Sequence, residues 1–341
     1  VRIVLFALSL ILLAVWLSGC GPTPTPIPTH PPAPTAAPLP TATPEIPLAV
    51  LIVPADMDPA ESNLYQSTVY ELAQAAGYRF QVRNVFHAAD LEPALKIAVV
   101  LPPDPGVAAL AAAAPQTQFL AVNLPDVSPA PNLSVIGRPN RPELAGFLFG
   151  YIAAMVTSDY DYRIGMIALQ GDPEAQVAFT AFRNGMIYYC GTCPKAYYYF
   201  DIYGNALEYP QLVEIPADEK IELYPAYGRL LKRKKVAMAY VHPKVATPDL
   251  LTTLGVEGII SIGEVPPDPR PLYWTASLRP DFAAAIRLAW SDLLAGRSGQ
   301  VISPPLALAD IDPTLLTPGK QALAEQVLAD LLAGRIAPLS P

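Results

Sequence analysis

Charge is scarce in this chain: 15% of its residues are charged, and the formal net charge is −8. A weakly charged, acidic protein lacks the basic face that nucleic acid demands. It also lacks the polybasic stripe that draws a domain onto anionic lipid. Histidine is scarcer still, with three in 341 residues. The chain contains no G-x-S-x-G, no H-E-x-x-H and no G-x-x-x-x-G-K-[ST], so the hydrolase elbow, the zinc-protease helix and the phosphate-cradling loop are excluded. A surface hydrolase would have to rest on a carboxylate pair without a motif, and the expectation is a non-enzyme without cofactor. Cysteine is limited to three residues. Two of them, Cys190 and Cys193, stand in "YYCGTCP"; with no second CxxC and no nearby histidine pair, a four-ligand zinc site is not supplied. No short period repeats along the chain, which excludes a solenoid.

Apolar runs long enough to cross a membrane comfortably are also missing, and the longest comes near the start. Residues 3–17, "IVLFALSLILLAVWL", fall short of the ~20 residues that span a bilayer comfortably. Their length and the small residues after them suit a signal-peptide core. "Leu17-Ser18-Gly19-Cys20" resembles a bacterial lipobox, and that resemblance implies cleavage before Cys20 and acylation of its thiol and amine. Several acyl chains anchor a protein stably where one does not. The competing reading is a plain transmembrane anchor with an incidental cysteine. Proline then dominates residues 22–47, "PTPTPIPTHPPAPTAAPLPTATPEIP". Proline fixes φ and enters neither helix interiors nor sheet interiors. Such a run is an extended spacer of roughly 80 Å at about 3.1 Å per residue. Residues 1–19 therefore read as a lipoprotein signal peptide, and 20–47 as the anchor and tether. An exported domain meets an oxidising compartment, where Cys190 and Cys193 read best as a local disulfide, with free thiols and then a redox or metal pair as alternatives.

Beyond residue 47 short apolar runs alternate with amphipathic ones. "LAVLIV" (48–53), "YRFQVRNV" (78–85), "KIAVVLP" (96–102), "QFLAVN" (118–123) and "LSVIG" (133–137) read as strands. "ESNLYQSTVYELAQAAG" (61–77), "GVAALAAAAP" and "RPELAGFLFGYIAAMVTS" (141–158) read as helices. The cycle then restarts: strands at 163–169, 196–203, 235–241, 258–263 and 272–278, and helices at 172–189, before 235, at 280–296 and at 319–334. Repeated β–α alternation means parallel sheets covered by helices on both faces. The expected fold class is therefore α/β, two doubly wound parallel-sheet lobes joined by a hinge, as in type I periplasmic binding proteins. Lobe 1 is expected over 48–160, completed by about 276–302, and lobe 2 over 161–275, completed by about 303–337. Ligands in such sheets sit at the carboxyl ends of the strands.

"NRPELAGFLFGYIAAMVTSDYDYRIGMIALQGDPEAQVAFTAFRNGMIYY" resembles the basic membrane protein (BMP) family of substrate-binding lipoproteins. "LYQSTVYELAQAAG", "APQTQFLAVN" and "TPGKQALAEQVLADLLAGRI" are similar to further segments of that family in the same order. The resemblance implies an extracytoplasmic, lipid-anchored, monomeric solute-binding protein of an ABC importer. Its partner would be the transporter permease, and its ligand a purine nucleoside. Near the first helix "DMDPAESNLYQS" offers Asp58, Asn63 and Tyr65 where the family carries an acidic residue and Ser-Phe-Asn. "LQGDP" keeps Asp172 where the family has Gly-Met-Asp, and "SIGEVPPD" puts Glu264 where the family binds ribose hydroxyls. "VHPKVATP", with His242 and Lys244, replaces a glycine-rich loop of the family, and His242 could line the cleft. A tyrosine ring could stack on a base and carboxylates could accept from hydroxyls or amino groups. Against these stand plainer roles: with 17 tyrosines any one can be core, and Asp172 before Pro173 suits a helix N-cap. Departure from the usual contact residues favours the alternative of a sensor or scaffold with a degenerate cleft. "KRKK" (232–235) reads as a solvated helix end, "YYYF" (197–200) as strand, and His87 as surface.

Overall fold

The computed structural model describes residues 45–137, 140–191, 199–200, 204–265 and 268–340. The apolar leader, Cys20 and most of the tether lie outside them. Among the described residues no helix is long and apolar enough to cross a membrane.

From the tether the chain enters β1 (Leu48–Ile52), α1 (Pro59–Ala75), β2 (Arg79–Arg83), β3 (Leu95–Val100), α2 (Val107–Ala113), β4 (Gln118–Val122) and β5 (Leu133–Ile136). It continues through α3 (Pro142–Val156), β6 (Ile164–Leu169), α4 (Pro173–Cys190), β7 (Gln211–Ile215), α5 (Tyr224–Arg233), β8 (Met238–Val241), α6 (Pro248–Val256), β9 (Ile260–Gly263) and β10 (Trp274–Pro280). It closes with α7 (Phe282–Leu294), β11 (Val301–Ile302), β12 (Leu306–Ala309) and α8 (Pro318–Leu332).

The strands form two six-stranded sheets, ordered β11-β5-β4-β3-β1-β2 and β12-β10-β9-β8-β6-β7. Every pairing is parallel except β10 with β12. Both sheets thus reverse strand order beside their first strand, which opens a crevice at the carboxyl ends. The continuous apolar run of β1 is explained by its place: all five residues are buried between helical layers. Its side chains alternate, Leu48, Val50 and Ile52 facing one core and Ala49 and Leu51 the other. The second sheet is likewise covered on both faces.

Two expectations about the lobes are corrected. α3 was expected in lobe 1, before residue 160, but it buries against α4, α8 and the second sheet. It is apolar all round, and only a site enclosed on every side satisfies such a helix. The chain therefore changes lobes between β5 and α3. It returns after Pro280, not near 276, because all of β10 belongs to the second sheet. A third crossing joins β11 to β12. The crossings are laced together: Gly137 N–H donates to the Ile302 carbonyl at 3.2 Å, and Asp281 N–H to the Pro305 carbonyl at 2.7 Å.

Four elements were not foreseen, namely β7, α6 and the short pair β11 and β12. The strand expected at 196–203 falls almost entirely outside the described residues. Cys190 closes α4 and is disulfide-bonded; its expected partner Cys193 lies outside the described residues.

Candidate functional site

A cavity of about 1010 Å³ opens where both lobes meet the hinge. Lobe 1 contributes the first turns of α1, Asn123 just after β4, and the first turns of α7. Lobe 2 contributes Glu264 just after β9, Arg279 and Pro280 at the end of β10, and Ala307 and Ala309 of β12.

The helix starts are fixed locally. Asp58 caps α1, its Oδ1 accepting from the N–H groups of Ala60 and Glu61, both at 3.0 Å, and Pro59 opens the helix. Asp281 caps α7 by accepting from Ala284 N–H at 2.8 Å. Both carboxylates line the cavity, yet each spends an oxygen on a helix end.

Of the residues expected in the site, Asp58, Tyr65 and Glu264 stand on this wall. Tyr65 is not the open platform expected. It is only 5% exposed and belongs to the core between α1 and the sheet, and its hydroxyl donates to Glu61 Oε1 at 3.2 Å. Burial and the Glu61 charge both push its ionisation upward, so the hydroxyl remains a donor. Asn63 is exposed and absent from the wall. It stands two residues from Tyr65, and residues so spaced face away from each other on a helix.

Glu264 is the most constrained group on the wall. It accepts from the Tyr240 hydroxyl at 2.6 Å. Tyr240 is itself fully buried on β8, with its ring against Phe149 and Phe182. Burial pushes the Glu264 carboxyl above its usual range, the Tyr240 hydrogen bond opposes that shift, and the Glu174 charge adds to it.

Asp172 and His242 do not line this cavity. They meet at the carboxyl ends of β6 and β8. Asp172 caps α4, accepting from Glu174 N–H at 3.3 Å, and accepts from Lys244 Nζ at 2.9 Å. Lys244 also pairs with Glu174 at 2.9 Å, and Asn140, on the first crossing, donates to Glu174 at 2.8 Å. His242 Nδ1 lies 3.6 Å from Asp172 Oδ2, with both side chains nearly enclosed. Burial lowers the proton affinity of His242 against the opposing pull of Asp172.

Sequence reasoning missed Glu61, Asn123, Arg279, Asp281 and Arg287 on the wall. Asn123 ends "QFLAVN" with a φ of 53°, a conformation asparagine tolerates better than most residues; its place at a strand end was the available signal. Arg279 and Arg287 reach carboxylates off the wall, Asp310 and Glu71 respectively, the latter at 3.0 Å.

The chain is similar in structure to an ABC transporter system solute-binding protein from Aeropyrum pernix K1, at 15% identity and a TM-score of 0.43, over 86% of this chain and 92% of that one. It is similar to an ABC transporter solute-binding protein from Mycobacterium smegmatis, crystallised with bound glycerol, at 17% identity and a TM-score of 0.40, over 83% of this chain and 97% of that one. It is also similar to a transcriptional activator of the comK gene from Bacillus halodurans, at 13% identity and a TM-score of 0.45, over 86% of this chain and 99% of that one. These structures include both transport and regulatory proteins. No family model matches the sequence, and no curated protein matches it either.

Proposed function

We propose that this chain is a solute-binding protein of an ABC importer, held at the outer face of the cell membrane by a lipid on Cys20. The observation that carries the reading is the cavity to which both lobes contribute, at the carboxyl ends of their strands and beside three crossings. Its volume is at the upper end of the ~300–1,000 Å³ usual for small-molecule sites, and hinge closure around a solute is the motion such a layout permits. Glu264 and Asp58 on the wall, and Asp172 and His242 at the neighbouring strand ends, are the proposed polar contacts. The purine nucleoside implied by the family resemblance would offer them hydroxyl and amino donors. Thermal-shift screening of nucleosides, sugars, amino acids and amines tests the reading. A ligand at a hundredfold excess over its Kd stabilises the folded state by about 2.7 kcal/mol, a shift of several degrees. Silence across all classes would overturn it.

One observation favours a second reading, that of a sensor or scaffold. Most charged groups of the wall already bond within the protein: Asp58 and Asp281 to helix ends, Arg279 and Arg287 through one nitrogen each to Asp310 and Glu71, with Arg279 Nε buried and left without a partner among the described residues. A cleft satisfied by its own side chains would give the silent screen.

The anchor is tested separately. Cys20→Ser should move the protein from membranes to the soluble fraction. A variant still membrane-bound after a high-salt wash would refute acylation at that residue.

A further inference from the structure

Two polar atoms at the carboxyl ends of β6 and β8, Asp172 Oδ2 and His242 Nδ1, are enclosed and have no hydrogen-bond partner among the described residues. They lie 3.6 Å apart, and the side chains that carry them are 6% and 5% exposed. Asp172 commits its other oxygen, Oδ1, to Lys244 Nζ at 2.9 Å and to Glu174 N–H at 3.3 Å, so Oδ2 is left to face the imidazole. A carboxylate can only accept, so the nitrogen turned towards it carries the ring's hydrogen. A neutral imidazole has one N–H, and its other nitrogen is then a bare acceptor. That nitrogen, Nε2, bonds to no described residue and, unlike Nδ1, keeps some contact with the outside. The surroundings place it beside the cavity. Tyr240, two residues earlier and so on the same face of the strand, has its ring 6.3 Å from the imidazole and its hydroxyl on Glu264 of the wall. β8 also neighbours β9, which Glu264 follows.

We infer that Asp172 holds His242 as the Nδ1–H tautomer, and that Nε2 is the acceptor lobe 2 offers to an uncharged N–H or O–H of the bound solute. The inference rests on the solute-binding reading and divides the two residues: His242 is the contact, and Asp172 is a positioning residue that acts through it. The charges around the ring fit a neutral imidazole. Burial, the largest influence, lowers its proton affinity; Asp172 pulls the other way, Lys244 sides with burial, and Glu174 sides with Asp172. Glu264 reaches the ring only across Tyr240. The net direction is downward, so the ring is neutral at pH 7 and above. A ring held from behind is already aimed when a solute arrives, and less freedom is lost on binding. A proton and the solute's donor compete for one lone pair, so acid releases the solute.

The experiment has two arms. The chain has three histidines, so nitrogen NMR of the histidine-labelled full chain can follow the His242 ring, with His242→Phe identifying its signals. At mildly alkaline pH the wild type should show the Nδ1–H tautomer. Asp172→Asn should move the hydrogen to Nε2: Lys244 holds the amide oxygen, which turns the NH2 donor towards the ring. Asparagine caps a helix as well as aspartate does, so α4 keeps its start. The second arm is calorimetric titration with inosine, adenosine and ribose over a pH series. A probe that binds should do so evenly at neutral and alkaline pH, then lose roughly tenfold in affinity per pH unit once the ring protonates, the slope of one competing proton. Glu264 also gains a proton as pH falls, so the histidine step is the one that must vanish in His242→Phe. Asp172→Asn should weaken binding by roughly tenfold or more, the scale of losing an acceptor for a buried donor. An Nε2–H tautomer in the wild type would overturn the inference whether or not a probe binds, and it decides the matter where a variant does not fold. Binding that keeps its acid step in His242→Phe, or that is unmoved by Asp172→Asn, would overturn the inference and leave the solute-binding reading standing. Silence toward every probe would remove that reading and the acceptor's role with it.

Discussion

Gly150→Ala is expected to cost at least ~3 kcal/mol, at or beyond the upper end for overpacking, and to lower Tm by roughly 6–12 °C. α3 and α4 pack backbone to backbone. A Cβ on Gly150 would sit 1.9 Å from the Phe182 carbonyl oxygen and 2.7 Å from its carbon. Gly146, one turn earlier, meets Ala178 in the same way at 2.1 Å, and Gly185 on α4 meets Phe147 at 2.0 Å. Residues four apart lie on one helix face, so Gly146 and Gly150 form a groove into which α4 fits. The obstruction is main chain, not the flexible end of a side chain, so the two helices must separate. Because α3 is buried from Leu144 to Val156, separation opens the core of lobe 2. Gly319→Ala is the control. It lies in the first turn of α8 with nothing within 4 Å of a new Cβ. There alanine should be neutral or stabilise by up to ~1 kcal/mol, since it restricts the unfolded chain. Urea melts of both variants decide the matter. A Gly150→Ala melt indistinguishable from wild type would mean that the helices do not approach so closely.

The same helix pair shows what could be read from the sequence. The apolar strands of both sheets were legible because a strand covered on two faces needs no polar residues, as in "LAVLI". "PELAGFLFGYIAAMV" was legible as a helix but not as part of lobe 2. Its apolar surface says that it is enclosed, not which sheet encloses it. α6 was obscured because "PDLLTTLGV" is short and four of its nine residues are β-branched or glycine. β11 and β12 carry too few residues for a period to register. For the site, the family resemblance pointed to Asp58 ahead of the first helix, and the resemblance together with strand-end position pointed to Glu264. It did not reveal that Tyr65 turns inward, since the ring's direction depends on which α1 face meets the sheet. Nor did it separate Asp172 and His242 from the cavity. They end β6 and β8, whereas the wall is built from β9, β10 and β12, and the distance between strand ends is a matter of sheet order. Arg279, Asp281 and Arg287 could not be assigned, because the second crossing that brings them there is visible only once the sheets are assembled.

Tyr240→Phe should cost roughly 1.5–3 kcal/mol when Glu264 is ionised, the range for a hydrogen bond to a charged group. The ring stays: phenylalanine keeps the contacts with Phe149 at 4.7 Å and Phe182 at 6.1 Å between centroids. The loss is the hydroxyl that donates to Glu264 at 2.6 Å. The sign with pH comes from the direction of the shift. In the wild type the Glu264 carboxyl is held above its ordinary value, chiefly by burial, so its contribution to stability is greatest when protonated and is lost as pH rises through its folded-state pKa. The Tyr240 hydrogen bond is the influence that restrains this rise. Without it the carboxyl moves further up, and the variant gives up more stability than the wild type over the same rise in pH. The deficit should therefore be full at neutral and alkaline pH and should shrink as acid protonates Glu264 in both proteins. Denaturant melts at several pH values read this directly. A deficit constant across pH would assign the loss to packing around the ring and would leave Glu264 without its tether to the core. Glu264→Gln combined with Tyr240→Phe completes the cycle: with no charge left to satisfy, removing the hydroxyl should cost less than in the wild type, and its pH dependence should vanish.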